Sequence, residues 1–67
     1  MIIYLNAKEF HFEDSKSLFQ VFIHLNIDVS AGVAAAVNEV VIPKSQWNIY
    51  KLNDLDKIIL IKASQGG

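Results

Sequence analysis

Ile58-Ile59-Leu60-Ile61 carries more architectural information than any other four residues of the chain. Four consecutive apolar residues, three of them β-branched, read as a short strand with no polar member. Such a strand belongs in the centre of a sheet rather than at its edge. Its natural neighbour is the other apolar run, Ile2-Ile3-Tyr4-Leu5, at the opposite end of the sequence. If these two strands lie side by side in parallel, the chain between them has to cross the sheet.

The intervening sequence supplies that crossing. Asn6-Ala7-Lys8-Glu9 reads as a turn and Phe10-His11-Phe12 as a half-buried return strand, so the chain opens with a hairpin. Ser15 or Ser17 can N-cap a helix that runs from Leu18 to about Leu25, with Glu13 and Asp14 favourably placed near its start. At about 100° per residue, Leu18, Val21, Phe22 and Leu25 share one face and Gln20 and His24 lie opposite. Phe19 and Ile23 stand one turn apart on the flank. They widen the apolar arc, which makes them either helix-edge packing or a partner surface.

Asn26 to Gly32 is a connection. Val33-Ala34-Ala35-Ala36-Val37 has helical propensity in its alanines, yet it is short, valine-flanked and bracketed by Gly32 and Asn38, and so reads as a strand. Val40-Val41-Ile42 follows across an Asn38-Glu39 turn, and Pro43 ends its ladder. Lys44 to Asn53 shows no clean period, and its Trp47 and Tyr50 are expected to plug the open end of the core. Asn53-Asp54 begins the turn into the last strand.

The order ββ-α-ββ-β, with first and last strands paired in parallel, predicts an α+β fold of the β-grasp (ubiquitin-like) type. A mixed four- to five-stranded sheet would carry one helix across one face. Residues 1–63 form the domain in this reading, and 64–67 a flexible C-terminal tail. The uncovered face keeps apolar side chains from alternate positions of the two central strands, an exposed patch of the kind that meets a partner.

Composition narrows the function. At 67 residues the chain is one domain with a core expected to give only roughly 3–5 kcal/mol of net stability. It has no cysteine, which excludes disulfides, thiolate metal sites and a cysteine nucleophile. The net charge is −1, all six basic residues are lysines, and no basic stripe is present, which argues against nucleic acid as a partner. No apolar run is long enough to cross a bilayer and no charged leader precedes a hydrophobic stretch, so no membrane partner and a cytoplasmic location are expected.

Side chains offer little chemistry. His11 and His24 lie far apart in sequence, without acidic residues at metal-ligand spacing, and read as solvated residues; no metal site is expected. Glu13-Asp14 and the Asp54/Asp56 pair are explained by capping and turn formation. None of the serines has an activating constellation. The end of the chain differs. Of only three glycines, two are Gly66 and Gly67, directly beyond the most apolar strand and a short polar spacer. Without Cβ atoms, two glycines can thread a passage where a side chain would clash, and they carry a main-chain carboxylate into it. Such a carboxylate can attack the α-phosphate of ATP to give an acyl-adenylate that a sulfur nucleophile displaces. The plain alternative is a frayed end without a role.

With these residues in view, the sequence resembles the ThiS-type sulfur carrier proteins of thiamin thiazole biosynthesis, a ubiquitin-like family, over essentially its whole length. Met1 to Asn6 is similar to the family's first strand ending in Asn, and Ser17-Leu18 to Leu25 to its Ser/Thr-started helix. Ala36-Val37-Asn38-Glu39-Val40-Val41-Ile42-Pro43-Lys44-Ser45-Gln46-Trp47 is similar to the stretch A-V-N-x-x-x-V-P-R-x-x-W, and Gly66-Gly67 to the reactive end.

The resemblance implies a protein co-substrate rather than an enzyme. An adenylyltransferase of the ubiquitin-activating superfamily (ThiF-like) would adenylate Gly67 with ATP and Mg, which this chain does not itself bind. Sulfur relayed from a cysteine desulfurase would give a thiocarboxylate at Gly67, and a thiazole synthase (ThiG-like) would consume it, with Gly66 threading the tail. Where the family often has Asp-Gly-Asp before the last strand, this chain has Asp54-Leu55-Asp56. Leucine resists the positive φ that glycine accepts, so that turn is expected to differ. Two other readings remain open: a carrier like the small subunit of molybdopterin synthase, and a non-covalent interaction module that binds through Phe19, Ile23 or the open sheet face.

Overall fold

A computed structural model describes residues 1–30 and 32–62. The strands are β1 (Ile2–Leu5), β2 (Lys8–His11), β3 (Val33–Val37), β4 (Val40–Ile42) and β5 (Asp56–Lys62), with one helix, α1 (Leu18–His24). They form one sheet in the order β2-β1-β5-β3-β4. β5 lies at its centre, parallel to β1 from Ile3↔Asp56 to Leu5↔Ile58. On its other side it runs antiparallel to β3 from Val33↔Lys62 to Val37↔Ile58. This is the β-grasp arrangement, with five strands. β5 extends beyond Ile58–Ile61 in both directions because a ladder needs main-chain partners, and Asp56 and Lys62 have them on β1 and β3.

The first hairpin is tighter than the sequence suggests. Its turn contains only Asn6 and Ala7, at φ 49° and 70°, so β2 begins at Lys8 and ends at His11 instead of running from Phe10 to Phe12. Two consecutive positive-φ residues match the twist of the flanking strands, and Asn accepts that conformation readily. Phe12 lies just past β2, buried, with its amide donating to the Met1 carbonyl at 2.9 Å.

The N-cap of α1 is Ser17. Its Oγ accepts from the Gln20 amide at 3.2 Å while the Gln20 side chain accepts from the Ser17 amide at 2.8 Å. This reciprocal pair satisfies two of the donors that a helix start leaves open. The segment without periodicity supplies two more partners: the Leu18 and Phe19 amides donate to the carbonyls of Tyr50 and Trp47, at 2.9 and 3.0 Å. Lys44 to Tyr50 is therefore shaped by the helix end it caps, a non-local demand that leaves no local period. Within it, a 3-10 turn over Lys44–Gln46 leads into Trp47. Trp47 is 1% exposed, stacks edge-to-face on Phe22 at 5.1 Å, and donates its indole N–H to the Ile42 carbonyl at 2.8 Å. It closes the core as expected, with Tyr50 packed against that core and half-exposed.

Alternation along the strands divides the sheet into two surfaces. Ile3, Leu5, Ala35, Val37 and Ile58 point to the helix side and join Leu18, Val21 and Phe22 in a buried core. Ile2, Tyr4, Ala34, Ala36, Val41, Ile59 and Ile61 point the other way and stay half-exposed or exposed.

The turn before β5 corrects the sequence reading. Leu55 takes the glycine-like conformation, at φ 71°, in place of a different turn. Its amide donates to the Ile2 carbonyl at 2.6 Å, and Asp54 on one side accepts from the Ile2 amide at 2.6 Å. Asp56 on the other side accepts from the Asn53 amide at 2.8 Å. These contacts, made by backbone and aspartates, hold the bend whichever residue stands at its centre. The leucine side chain extends into solvent.

Candidate functional site

Gly66 and Gly67 lie outside the described residues, as does the expected boundary between residues 63 and 64. What the structure describes is the strand that leads to them. β5 is gripped on both sides by asparagines that occupy the first positions of the two tight turns. Asn6 donates its amide to the Ile58 carbonyl at 2.9 Å and accepts from the Leu60 amide through Oδ1 at 2.9 Å. Its side chain thus continues the ladder past the point where β1 ends.

Asn38, at φ 49°, works from the opposite side. Its backbone amide donates to the Lys57 carbonyl at 2.8 Å, its Oδ1 accepts from the Lys57 amide at 3.0 Å, and its Nδ2 donates to Asp56 Oδ1 at 2.9 Å. Asp56 is a buried carboxylate with both oxygens engaged, by Asn38 and Asn53. The strand that carries the glycines is thus held at several main-chain positions on each side. The sequence marks Asn6 and Asn38 as turn residues and as parts of the stretches that resemble the family, without their bonds to β5. The signal that could have revealed more is the repeated pattern of Asn followed by a second turn residue between two apolar strands, since a side-chain amide there can serve a third strand.

At the exit end, Lys62 is the last described residue, opposite Val33. Asp28 stands in the adjoining connection. Its carboxyl is held below the usual carboxylate range, first by the hydrogen bond from the Ser30 amide, then by the Ser30 hydroxyl, with Lys62 and Lys44 adding weaker attraction. Lys44 donates to the Ser30 carbonyl at 2.9 Å and lies over the Trp47 ring at 5.6 Å. The Lys44–Ser30 hydrogen bond therefore ties the connection to the segment that follows β4.

Two apolar surfaces flank this machinery. The first is the open face of the sheet, where Ile59 and Ile61 are 45% and 55% exposed and a shallow depression is lined by Tyr4, Ala7, Lys57 and Ile59. The second lies on the outer side of α1. There Phe19 and Ile23 share a shallow groove with Lys16, Gln20 and His24, Phe19 half-buried against the core and Ile23 exposed. The structure thus brings Phe19 and Ile23 together, at a distance from β5.

Both histidines are exposed, in keeping with their reading as solvated residues, though each has a neighbour that the sequence did not show. His11 does meet a carboxylate, Glu9, across one residue of β2. His24 packs edge-to-face on Phe12 at 5.2 Å. The fold brings both beside Glu13 and Asp14 around one depression, but among the described residues no three His, Asp or Glu side chains converge on a point that could hold a metal ion. Nor is any described helix long and apolar enough to cross a membrane.

A β-grasp domain with an open apolar sheet face, whose central strand runs out toward a pair of glycines, defines a ubiquitin-like protein. The model of the ThiS family matches residues 3–67, and the chain belongs to that family. Family membership supports the role of a small carrier protein for sulfur in thiamin biosynthesis. Among solved structures, the fold is similar to that of the thiamine biosynthesis protein ThiS from Geobacter metallireducens, with a TM-score of 0.84 over 100% of both chains at 17% identity. No curated protein matches.

Proposed function

We propose that the α-carboxylate of Gly67 is the group that accepts and donates sulfur. In this reading a ThiF-like adenylyltransferase presents ATP and Mg to the tail, and the carboxylate attacks the α-phosphorus with loss of pyrophosphate. A persulfide, its sulfur drawn from a cysteine desulfurase, displaces AMP, and a second thiol cleaves the resulting acyl disulfide to leave the thiocarboxylate. A ThiG-like thiazole synthase then takes the sulfur for the thiazole ring, and the carrier leaves as a carboxylate. Gly66 keeps the passage slim, the chain acts in the cytoplasm as co-substrate, and all catalytic groups come from its partners.

One observation carries the proposal: the family match runs through Gly66 and Gly67. The clamped central strand supports it, because a rigid base sets where a short tether can reach. The open face around Ile59 and Ile61 lies on that same strand and would register the tail in a partner's site. Phe19 and Ile23 remain a second candidate contact.

The test is intact-mass analysis after incubation with the activating enzyme, ATP, Mg and a persulfide donor. The expected product has gained the mass of sulfur replacing oxygen, localised to the C-terminal peptide. Deletion of Gly67, or Gly67→Val, is expected to abolish acyl-adenylate formation while circular dichroism and melting stay those of the parent. An unchanged mass beside a partner that processes another carrier would overturn the proposal.

A further inference from the structure

The two edges of the sheet are built differently. β2 carries Lys8, Glu9 and His11 among its four residues, and charge on an edge discourages pairing with other chains. β4 carries Val40, Val41 and Ile42, with Val40 and Val41 61% and 68% exposed. Its pairing with β3 closes on a two-residue turn, Val37↔Val40, followed by Ala36↔Val41 and Ala35↔Ile42. In a hairpin of that kind the pair next to the turn exchanges hydrogen bonds and the following residue points its N–H and C=O away from the partner. Val41 therefore offers one main-chain donor and one acceptor along an apolar, uncharged edge.

We infer that this edge pairs with the β4 edge of a second copy of the chain, antiparallel about a two-fold axis at Val41. The occupant follows from the sequence around the strand. With Val41 opposite Val41 of the other copy, both free groups are satisfied by exchange, and Val40 faces the other Ile42. The segment from Asn38 to Lys44 contains two charges, Glu39 at one end and Lys44 at the other. Antiparallel pairing brings the Glu39 end of each copy beside the Lys44 end of its mate. Parallel pairing would set like charges together. Lys44 already donates to Ser30 but keeps two further N–H groups. Two-fold pairing of one surface with itself requires this self-complementarity.

The contact is small, so association is weak and reversible. It leaves the open faces, the helix grooves and the exit ends of both β5 strands uncovered, and it stands whether or not the proposal for Gly67 does.

Sedimentation equilibrium of the full chain from micromolar to millimolar concentration tests it. The weight-average mass is expected to rise from 7.5 kDa toward twice that value. Val41→Lys, which sets two ammonium groups against each other across the axis, is expected to weaken association by about tenfold or more. Glu39→Lys weakens it as well, and Glu39→Lys combined with Lys44→Glu restores it. Val41 is mostly exposed, so Val41→Lys keeps the parent's circular dichroism and melting. A monomer mass at every concentration would overturn the inference. So would a dimer indifferent to Val41→Lys and lost on Ile61→Lys, which would place the contact on the open sheet face.

Discussion

The two faces of the sheet draw on the same kinds of residue and do opposite things with them. On the helix side, Ile3, Leu5, Val37 and Ile58 are almost wholly buried under Leu18, Val21 and Phe22. On the other side, Ile2, Tyr4, Ile59 and Ile61 come from the same strands, one residue out of step, and remain in contact with water. β5 shows the contrast within a single strand: Ile58 is 1% exposed and its neighbour Ile59 is 45% exposed. Side-chain hydrophobicity cannot account for two such fates in adjacent isoleucines. Among the described residues α1 is the one α-helix and it covers one face, so half of the apolar side chains of the central strands stabilise the fold and half are left for contacts outside the domain.

If that division is right, damage on the helix side should unfold the protein, and damage on the open side should leave it folded. The largest effect is expected at Trp47. Replacing it with alanine removes the edge-to-face contact with Phe22 and the hydrogen bond to the Ile42 carbonyl, and opens a cavity at the end of the core. Such a change costs about 3–5 kcal/mol, as much as a domain of this size has to lose. Trp47→Ala is therefore expected to lack the cooperative thermal transition that the parent shows by circular dichroism.

The next effect is at Asn38. Alanine there loses two side-chain hydrogen bonds, leaves a buried Asp56 oxygen without its donor, and holds a positive φ that Asn tolerates better. The loss should be about 2–3 kcal/mol in urea unfolding. The amide of Lys57 should also exchange with solvent faster than those of the neighbouring β5 residues, a sign that the grip on the strand has gone.

How much of this was legible beforehand follows the same line between local and non-local causes. The run Ile58–Ile61 and its partner Ile2–Leu5 announce their strands through composition alone, and Leu18, Val21 and Phe22 announce a helix through period. Their arrangement follows because few topologies bury both. Lys44 to Tyr50 was not legible, since its carbonyls answer to the first turn of α1 and its own residues carry no pattern of that demand. The start of β2 is hidden because Lys8 and Glu9 are polar like turn residues, although an edge strand can be polar and Asn-Ala suffices for the turn. For the site, the glycine pair was visible in the sequence, while the asparagine clamps were not, because their partners on β5 are more than fifteen residues away.

Leu55 separates these causes in a third variant. A leucine at φ 71° is strained, and the bend around it is held by Ile2, Asp54 and Asp56 rather than by its own side chain. Leu55→Gly relieves that strain, which is of order 1–2 kcal/mol, and gives back part of the gain through a more flexible unfolded chain. A net stabilisation of about 0.5–1 kcal/mol is expected, read as a higher urea midpoint with an unchanged slope. A loss instead would mean that the exposed leucine side chain contributes packing that the geometry does not show.

The smallest effect on stability is expected at Ile61, on the open face. Its side chain is more than half exposed and stands beside Ala34 on β3, so truncation removes little buried area and leaves no cavity. Ile61→Ser should change the unfolding free energy by no more than about 0.5 kcal/mol. If the open face registers the tail in a partner's site, the same variant should raise the KM of the activating enzyme for the carrier, with kcat little changed, because a docking contact is present equally in the ground and transition states. Ile23→Ser provides the matched control on the outer side of the helix, where an equally exposed isoleucine lies away from β5. A rise in KM for Ile61→Ser alone assigns docking to the sheet face. The opposite pattern would move the contact to Phe19 and Ile23, and equal indifference would take docking away from both surfaces.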